Sequence, residues 1–226
     1  MKSLLMKIYR TLYEAYGSRH WWPGETPFEV MVGAILTQNT SWKNVEKAIR
    51  NLKEKGVLNP EGIHRLREPQ LAPLIRPSGY YHVKAKRLIA FVNFLFEAYD
   101  GNPDRMKKED LKELRQKLLG IHGIGPETAD SILLYGLGKP VFVVDAYTKR
   151  ILSRHGIVSE KASYEEVQET FMCHLPIDEQ LFNEYHALLV HLGKTMCRKS
   201  KCDEGCPLRK ILNRIENSAK SKEQSA

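Results

Sequence analysis

The sequence lacks any long apolar run. No stretch approaches the ~18 consecutive apolar residues of a membrane-crossing helix, so a membrane-embedded protein is excluded. A secretory leader is not expected either. Residues 1–17 carry Lys7, Arg10 and Glu14 among their apolar positions, which reads as an amphipathic helix and not as a signal core. A cytoplasmic protein is therefore expected. Strand-like alternation is almost absent: Pro140–Val144 is the only candidate run, and it is too short to build a sheet. No internal repeat recurs at roughly 20 to 50 residues, which argues against a solenoid or propeller. There are only 4 cysteines in 226 residues, and in a cytoplasmic chain disulfides are rare, so these thiols need another role. An acidic excess is missing too. Lys and Arg number 35 against 27 for Asp and Glu, a formal charge of +8 that favours a polyanionic partner.

What is present is helical periodicity. With 42% hydrophobic and 27% charged residues, the composition is that of an ordinary globular chain of one or two domains. Ser3–Tyr16 puts Leu5, Ile8, Leu12 and Ala15 on one face. Phe28–Leu36 is apolar, Thr37-Gln38-Asn39-Thr40 interrupts it, and Trp42–Leu52 resumes. Lys84–Tyr99 carries the stripe Leu88, Phe91, Val92, Leu95, Tyr99. Helices are also read over Asp110–Leu119, Pro126–Leu137, Tyr164–Leu175 and Glu179–Gly193. Pro140–Val144 is read as the apolar start of a helix with Asp145 near its beginning. The fold class expected is all-α, with residues from about 214 to 226 a polar tail.

Between two of these helices lies Leu119-Gly120-Ile121-His122-Gly123-Ile124-Gly125-Pro126-Glu127-Thr128-Ala129-Asp130. Gly123 and Gly125 allow positive φ and a close backbone approach to a ligand. Pro126 suits the first position of a helix, where its missing N–H costs nothing. The amides around that first turn are then donors at a positive dipole end, which fits a phosphate. A plain helix-turn-helix corner is the bland alternative. Twenty residues beyond Gly125 stands Asp145, after Val143-Val144.

Leu119–Arg150 resembles the helix-hairpin-helix plus Gly/Pro-Asp element of the endonuclease III superfamily of DNA glycosylases. Leu36-Thr37-Gln38-Asn39-Thr40 resembles that family's early Leu-x-x-Gln segment, and the likeness runs from about Phe28 to Cys206. The resemblance implies two helical lobes with DNA and the pocket between them: a six-helix lobe over residues 21–134 with its hairpin at 110–137, and a second lobe from residues 1–20 plus 135–213. It implies a monomer on damaged double-stranded DNA. It implies Gly123, Ile124, Gly125 and Thr128 as DNA-contacting residues, with Gln38 filling the gap left by a flipped nucleotide. A loop-stabilising amide is the alternative for Gln38. Asp145 matches the catalytic aspartate. Cleaving an N-glycosidic bond gives the sugar oxocarbenium character, and a carboxylate beneath the ring stabilises that charge or activates water. Asp145 also suits the N-cap of the helix after it. Family members that cut the strand use a lysine in the hairpin's second helix as an imine-forming amine. Here that position is Glu127, so a monofunctional glycosylase is expected.

The three tryptophans, Trp21, Trp22 and Trp42, lie early in the chain. Core packing is their ordinary role, but a Trp-Trp-Pro loop fits a pocket wall better. Excision needs a flipped base held in a pocket, and the faces of tryptophan attract cationic alkylated purines. Trp21-Trp22-Pro23, Leu36–Thr40, Arg76–Tyr81, Lys84–Ile89 and Val143–Asp145 resemble the 3-methyladenine DNA glycosylase branch. That branch implies aromatics at Trp22 and Trp42 around the base, with a pocket lysine near Lys194. Two rivals stay open: an endonuclease III-like enzyme for oxidised pyrimidines, drawing on Lys149 or Lys194, and a lesion-binding module without chemistry.

Cys197, Cys202 and Cys206 have metal-ligand spacing. The resemblance implies a [4Fe–4S] cluster, which takes four thiolates. The fourth should fall at position 212, which is leucine, and Cys173 is far upstream in an expected helix, as a buried thiol. Asp203, an external ligand, zinc on three thiolates and one other donor, and a loop without metal are the open readings.

Overall fold

The structure, a computed structural model, describes residues 1–209. Among them are twelve α-helices and no strand beyond a single bridge between Cys197 and Cys202, so the chain is all-α as expected. It divides into two compact units. One comprises Trp22–Val141; the other joins Met1–Trp21 to the chain from Phe142 onward. The polar tail and position 212 lie outside the described residues.

α1 (Lys2–Tyr16) belongs to the second unit and buries Leu5, Ile8 and Leu12. Ala15 is exposed, in contrast to its expected place on that stripe, because the contact ends before the helix's last turn. In the first unit α2 (Pro27–Leu36) is buried nearly all round. Its start is set by Thr26, whose hydroxyl accepts the Glu29 N–H at 3.1 Å, and by Pro27 in the first turn. α3 (Trp42–Glu54) is amphipathic and buries Val45, Ala48, Ile49 and Leu52. The short α4 (Pro60–His64) and α5 (Glu68–Leu74) follow; neither was foreseen from the sequence, since each is too brief to show a period. α6 (Tyr81–Tyr99) begins three residues before the expected Lys84, and its whole foreseen stripe is buried. α7 (Pro103–Met106) is a single turn. The first unit carries eight α-helices, α2 to α9, several of them one or two turns long, besides a 3-10 turn at Arg76–Ser78 and a π turn at Ile132–Gly136.

The hairpin arms are α8 (Leu111–Leu119) and α9 (Pro126–Ser131). The second arm does not continue as regular helix to Leu137. It widens into a π turn over Ile132–Gly136, where Ile132, Leu133 and Leu134 are buried. It packs closely on α2, where a Cβ on Gly136 would lie 3.0 Å from Met31 Cγ. Because this turn is packed on α2, the chain leaves the unit after Val141, seven residues past the expected crossing at 134. Arg115 of α8 clamps Asp130 of α9 through two bonds of 2.7 and 3.0 Å, with the carboxylate fully buried. Such bidentate pairing fixes geometry as well as charge.

Pro140–Val144, whose first two residues end the first unit and whose last three open the second, does not start a helix. It is extended, and Val141 to Val144 are buried. An extended segment with no partner strand must satisfy its backbone elsewhere. α11 (Tyr164–Met172) does this with side chains: Gln168 donates to the Phe142 carbonyl at 2.7 Å, and the Val144 N–H donates to the Tyr164 hydroxyl at 3.3 Å. Phe142 stacks on Phe171 with centroids 3.7 Å apart. α10 (Ala146–Arg154) follows, and α12 (Glu179–Thr195) packs against both α1 and α10. Cys173 is exposed at the end of α11, not buried, because the helix stops one residue earlier.

Lys84 is buried in the first unit, and its ammonium donates to the carbonyls of Leu36 at 2.8 Å and Ser78 at 2.6 Å. It thereby closes the C-terminal end of α2. Burial, reinforced by the Arg87 charge, lowers its pKa from the ordinary 10.5 to about 8. The unfolded chain holds this proton at pH values where the folded chain has released it, so stability rises with pH across that window. Chemical unfolding of the wild type between about pH 8 and pH 10 should gain stability more steeply than Lys84→Met. Parallel pH profiles would rule this account out.

Candidate functional site

The aspartate at the end of the buried extended segment caps α10. Its Oδ1 accepts the Thr148 N–H at 2.7 Å, and the carboxylate sits at the positive end of the helix. Asp145 keeps some exposure, with 12% of its side-chain surface accessible, so substrate can reach it. Oδ2 lies 3.8 Å from Nε2 of His186 on α12. His186 is buried, and burial lowers its pKa; the Asp145 charge opposes that shift and the Lys194 charge adds to it. The imidazole is therefore neutral at physiological pH. Sequence reading missed His186. The available signal was its position on a buried face with Phe182, Leu189 and Gly193, where a histidine is out of character.

α10 is fastened to α12 by a contact that needs Gly193. A Cβ there would stand 2.5 Å from Tyr147 Cδ1, so the glycine lets Tyr147 lie on the helix backbone. Arg150, stacked 5.0 Å over the Tyr147 ring, donates to the carbonyls of Gly193 at 2.9 Å and Cys197 at 3.0 Å. It satisfies the Gly193 carbonyl in the last turn of α12 and the Cys197 carbonyl just beyond the helix end. Asp145 is thus held at the start of a helix that α12 fixes along its length.

The second unit also carries two of the expected pocket residues. Lys194 is exposed at the end of α12, with its ammonium 5.9 Å from the Trp21 ring centre. The other expected pocket residues belong to the first unit. Trp22 and Trp42 meet edge to face with centroids 5.0 Å apart, and Tyr135 lies 5.0 Å from Trp22. Gly33 of α2 makes room for both tryptophans, its would-be Cβ only 3.3 Å from Trp22 Nε1. Trp22, Pro23 and Trp42 line a cavity of about 210 Å³ together with Glu29, Glu46, Ile49, Arg50 and Lys53.

The hairpin uses its two glycines differently. Gly123 has φ +82, and a Cβ on it would run into the Arg87 side chain at 2.4 Å, so both conformation and space demand glycine. Gly125 is extended at φ −93 and needs no special conformation; its outer face is open, with nothing within 4 Å of a Cβ. The Ile124 N–H is used within the turn, donating to Ile121 at 3.0 Å, and its side chain is buried. Among the described residues, the Gly123 and Gly125 N–H groups donate to no other backbone group. Thr128 is buried and its hydroxyl accepts from Gln38 Nε2 at 2.9 Å; the same amide donates to the Gly123 carbonyl at 3.2 Å. Arg87 donates to Gln38 Oε1. Gln38, Thr128 and Arg87 therefore brace the hairpin from within. Glu127 is exposed in the first turn of α9.

Near the end of the described chain Cys197 and Cys206 are buried, and both thiols interact with that of Cys202. Donor atoms of His155, Cys197 and Cys202 all lie within 4.8 Å of one another. This donor set does not suit a [4Fe–4S] cluster. Each of the four irons takes its own terminal ligand on an outward corner, so cluster thiolates stand well apart, whereas these donors gather as around one ion.

Residues 32–176 match the HhH-GPD superfamily base excision DNA repair protein family. The chain is 51% identical over 92% of its length to a provisionally assigned DNA repair glycosylase of Methanocaldococcus jannaschii, 95% of which is covered. It is 32% identical to endonuclease III of Thermotoga maritima, with 79% of each chain covered. Among solved structures it resembles the 3-methyladenine DNA glycosylase of Helicobacter pylori bound to 1,N6-ethenoadenine. There the TM-score is 0.75 and the identity 29%, with 84% of this chain and 97% of that one covered.

Gly193→Ala tests how Asp145 is held. The new methyl group must displace Tyr147, an overpacking worth about 1–3 kcal/mol, against roughly 1 kcal/mol of helix propensity that alanine returns. A lowered Tm in thermal denaturation is expected. An unchanged or raised Tm would mean that α10 is held by other contacts.

Proposed function

Because this chain belongs to the HhH-GPD superfamily of base excision DNA repair proteins, we propose that it is a monofunctional DNA glycosylase that releases alkylated purines such as 3-methyladenine. The observation that carries the mechanism is the pairing of a capped, accessible carboxylate at Asp145 with a carboxylate, not an amine, at Glu127. A carboxylate forms no imine, so the covalent route to strand cleavage is closed at this position.

The hairpin grips one DNA phosphate with the outward N–H groups of Gly123 and Gly125, drawn in by the positive end of α9 and the +8 charge of the chain. Gln38, released from Thr128, occupies the space of the flipped nucleotide. Within the first unit the damaged base rests against the aromatic faces of Trp22 and Trp42, with Pro23 bordering it; Trp21 and Lys194, which lie together in the second unit, are assigned to base recognition as well. Cationic alkylated purines gain more from such faces than neutral bases do. As the N-glycosidic bond lengthens, the sugar becomes positive, and the Asp145 carboxylate stabilises that charge and receives a proton from the attacking water. His186 stays neutral and positions the carboxylate. The ethenoadenine seen in the Helicobacter pylori relative supports a modified-purine substrate. DNA is the macromolecular partner, and the chain acts on it as a monomer.

The test is base release from methylated duplex DNA with strand integrity followed in parallel. Free 3-methyladenine should appear while the strand stays intact until alkali is added, and borohydride should trap no protein–DNA adduct. Asp145→Asn should lower release by about 100-fold or more. Strand scission without alkali, or a trapped adduct, would instead identify a lyase acting on oxidised pyrimidines through Lys149 or Lys194. An Asp145→Asn chain indistinguishable from wild type would leave only a lesion-binding module.

A further inference from the structure

We propose that His155, Cys197, Cys202 and Cys206 form a single-ion zinc site that fastens the C-terminal loop to the far end of α10. Three observations carry it. First, His155 follows directly on α10, and its imidazole comes within 4.8 Å of the Cys197 and Cys202 thiols, although the three are spread over 47 residues of sequence. Second, Cys206 lies outside that gathered trio but is buried, and its thiol interacts with that of Cys202, so a third thiol is at hand to complete the set when the ion binds. Three thiolates and one imidazole are a regular structural zinc donor set, with bonds of about 2.3 Å to sulfur and 2.0 Å to nitrogen. Tetrahedral bonds of that length put the donors roughly 3.5 to 4 Å apart, within the 4.8 Å spread here. Third, the loop is already shaped for the ion. Cys197 and Cys202 are paired by a backbone bridge, and the N–H of Asp203 donates to Met196 at 3.0 Å. Arg154, one residue before His155, donates to the Cys197 thiol at 3.2 Å and to the Arg198 carbonyl at 2.7 Å.

The site explains why three cysteines persist with leucine at position 212. The fourth donor comes from α10 and not from the loop. Asp203, considered from the sequence as the completing ligand, is not in the gathered set. The inference concerns the second unit alone and stands whatever base the enzyme excises.

Total-metal analysis of the purified full chain tests it directly. One zinc per chain is expected, without iron or acid-labile sulfide, in a colourless protein. Zinc content should fall roughly tenfold or more in His155→Ala, while Cys173→Ser, which alters the exposed thiol outside the site, keeps it. Should His155→Ala fail to fold, His155→Cys replaces the imidazole with a fourth thiolate. After exchange of zinc for cobalt(II), its visible spectrum should differ from that of the wild type. Iron with sulfide in the wild type, no metal in the wild type, full zinc in a folded His155→Ala, or identical cobalt spectra would each overturn the proposal.

Discussion

The structure turns on how α10 is held. A carboxylate that is to act on a sugar must stay ionised, accessible and fixed in direction, and a loose side chain at the end of a buried segment would be none of these. Asp145 answers the demands for access and direction by doubling as the N-cap: its Oδ1 accepts the Thr148 N–H at 2.7 Å, and 12% of its side-chain surface stays accessible. That solution transfers the demand to α10, which must not move. Tyr147 pressed on Gly193 and Arg150 bonded to the Gly193 and Cys197 carbonyls supply the restraint. The residue beyond the helix, His155, reaches the cysteine loop. One nine-residue helix thus carries the proposed catalytic aspartate at its first end and the proposed zinc ligand just beyond its last.

The first unit solves a parallel problem with the hairpin. A turn that presents backbone amides outward cannot spend those amides on its own stability, so it must be braced by other groups. Arg115 and Asp130 tie the arms together, while Gln38 and Arg87 hold the turn from beneath. The brace is polar, and breaking one side of a buried ion pair costs about 3–5 kcal/mol. Polar bonds with strict directions hold a turn at one angle, where apolar packing alone would tolerate several. That Gln38 is engaged in this brace sets a condition on the role proposed for it: entry into DNA requires giving up its bonds to Gly123 and Thr128.

The sequence made the long elements legible because their apolar residues repeat with the helical period over several turns. Leu88, Phe91, Val92, Leu95 and Tyr99 are buried together, as that period demands. It failed where length or period gave no purchase. α4, α5 and α7 run to seven residues or fewer, and their existence depends on caps and on neighbours. Pro140–Val144 looked like a helix start because a run of apolar residues says only that a segment is buried. The side chains of Gln168 and Tyr164, more than twenty residues on, let it stay extended. Asp145 and the hairpin glycines were visible as a spaced motif. His186 was not, since nothing local ties it to an aspartate 41 residues away. His155 was hidden likewise: metal ligands announce themselves by close spacing, and this one is distant from its partners.

The neighbour of Asp145 decides what kind of charge the site offers. A cation 3.8 Å away would form an ion pair and spend much of the carboxylate's field before any substrate arrived. His186 at that distance is a cation only when protonated, and its burial pushes the pKa down, with Lys194 adding in the same direction. Above that lowered pKa the imidazole is neutral and sets no cation against the Asp145 carboxylate, as the role proposed for Asp145 beneath an oxocarbenium-like sugar requires. The sign also sets the pH behaviour of this unit. A histidine buried in its neutral form favours folding at neutral pH, and that contribution is lost as pH falls below the ordinary imidazole value, where the unfolded chain takes up the proton first. The same burial that keeps the carboxylate uncompensated therefore ties the unit's stability to the pH range in which the imidazole carries no charge.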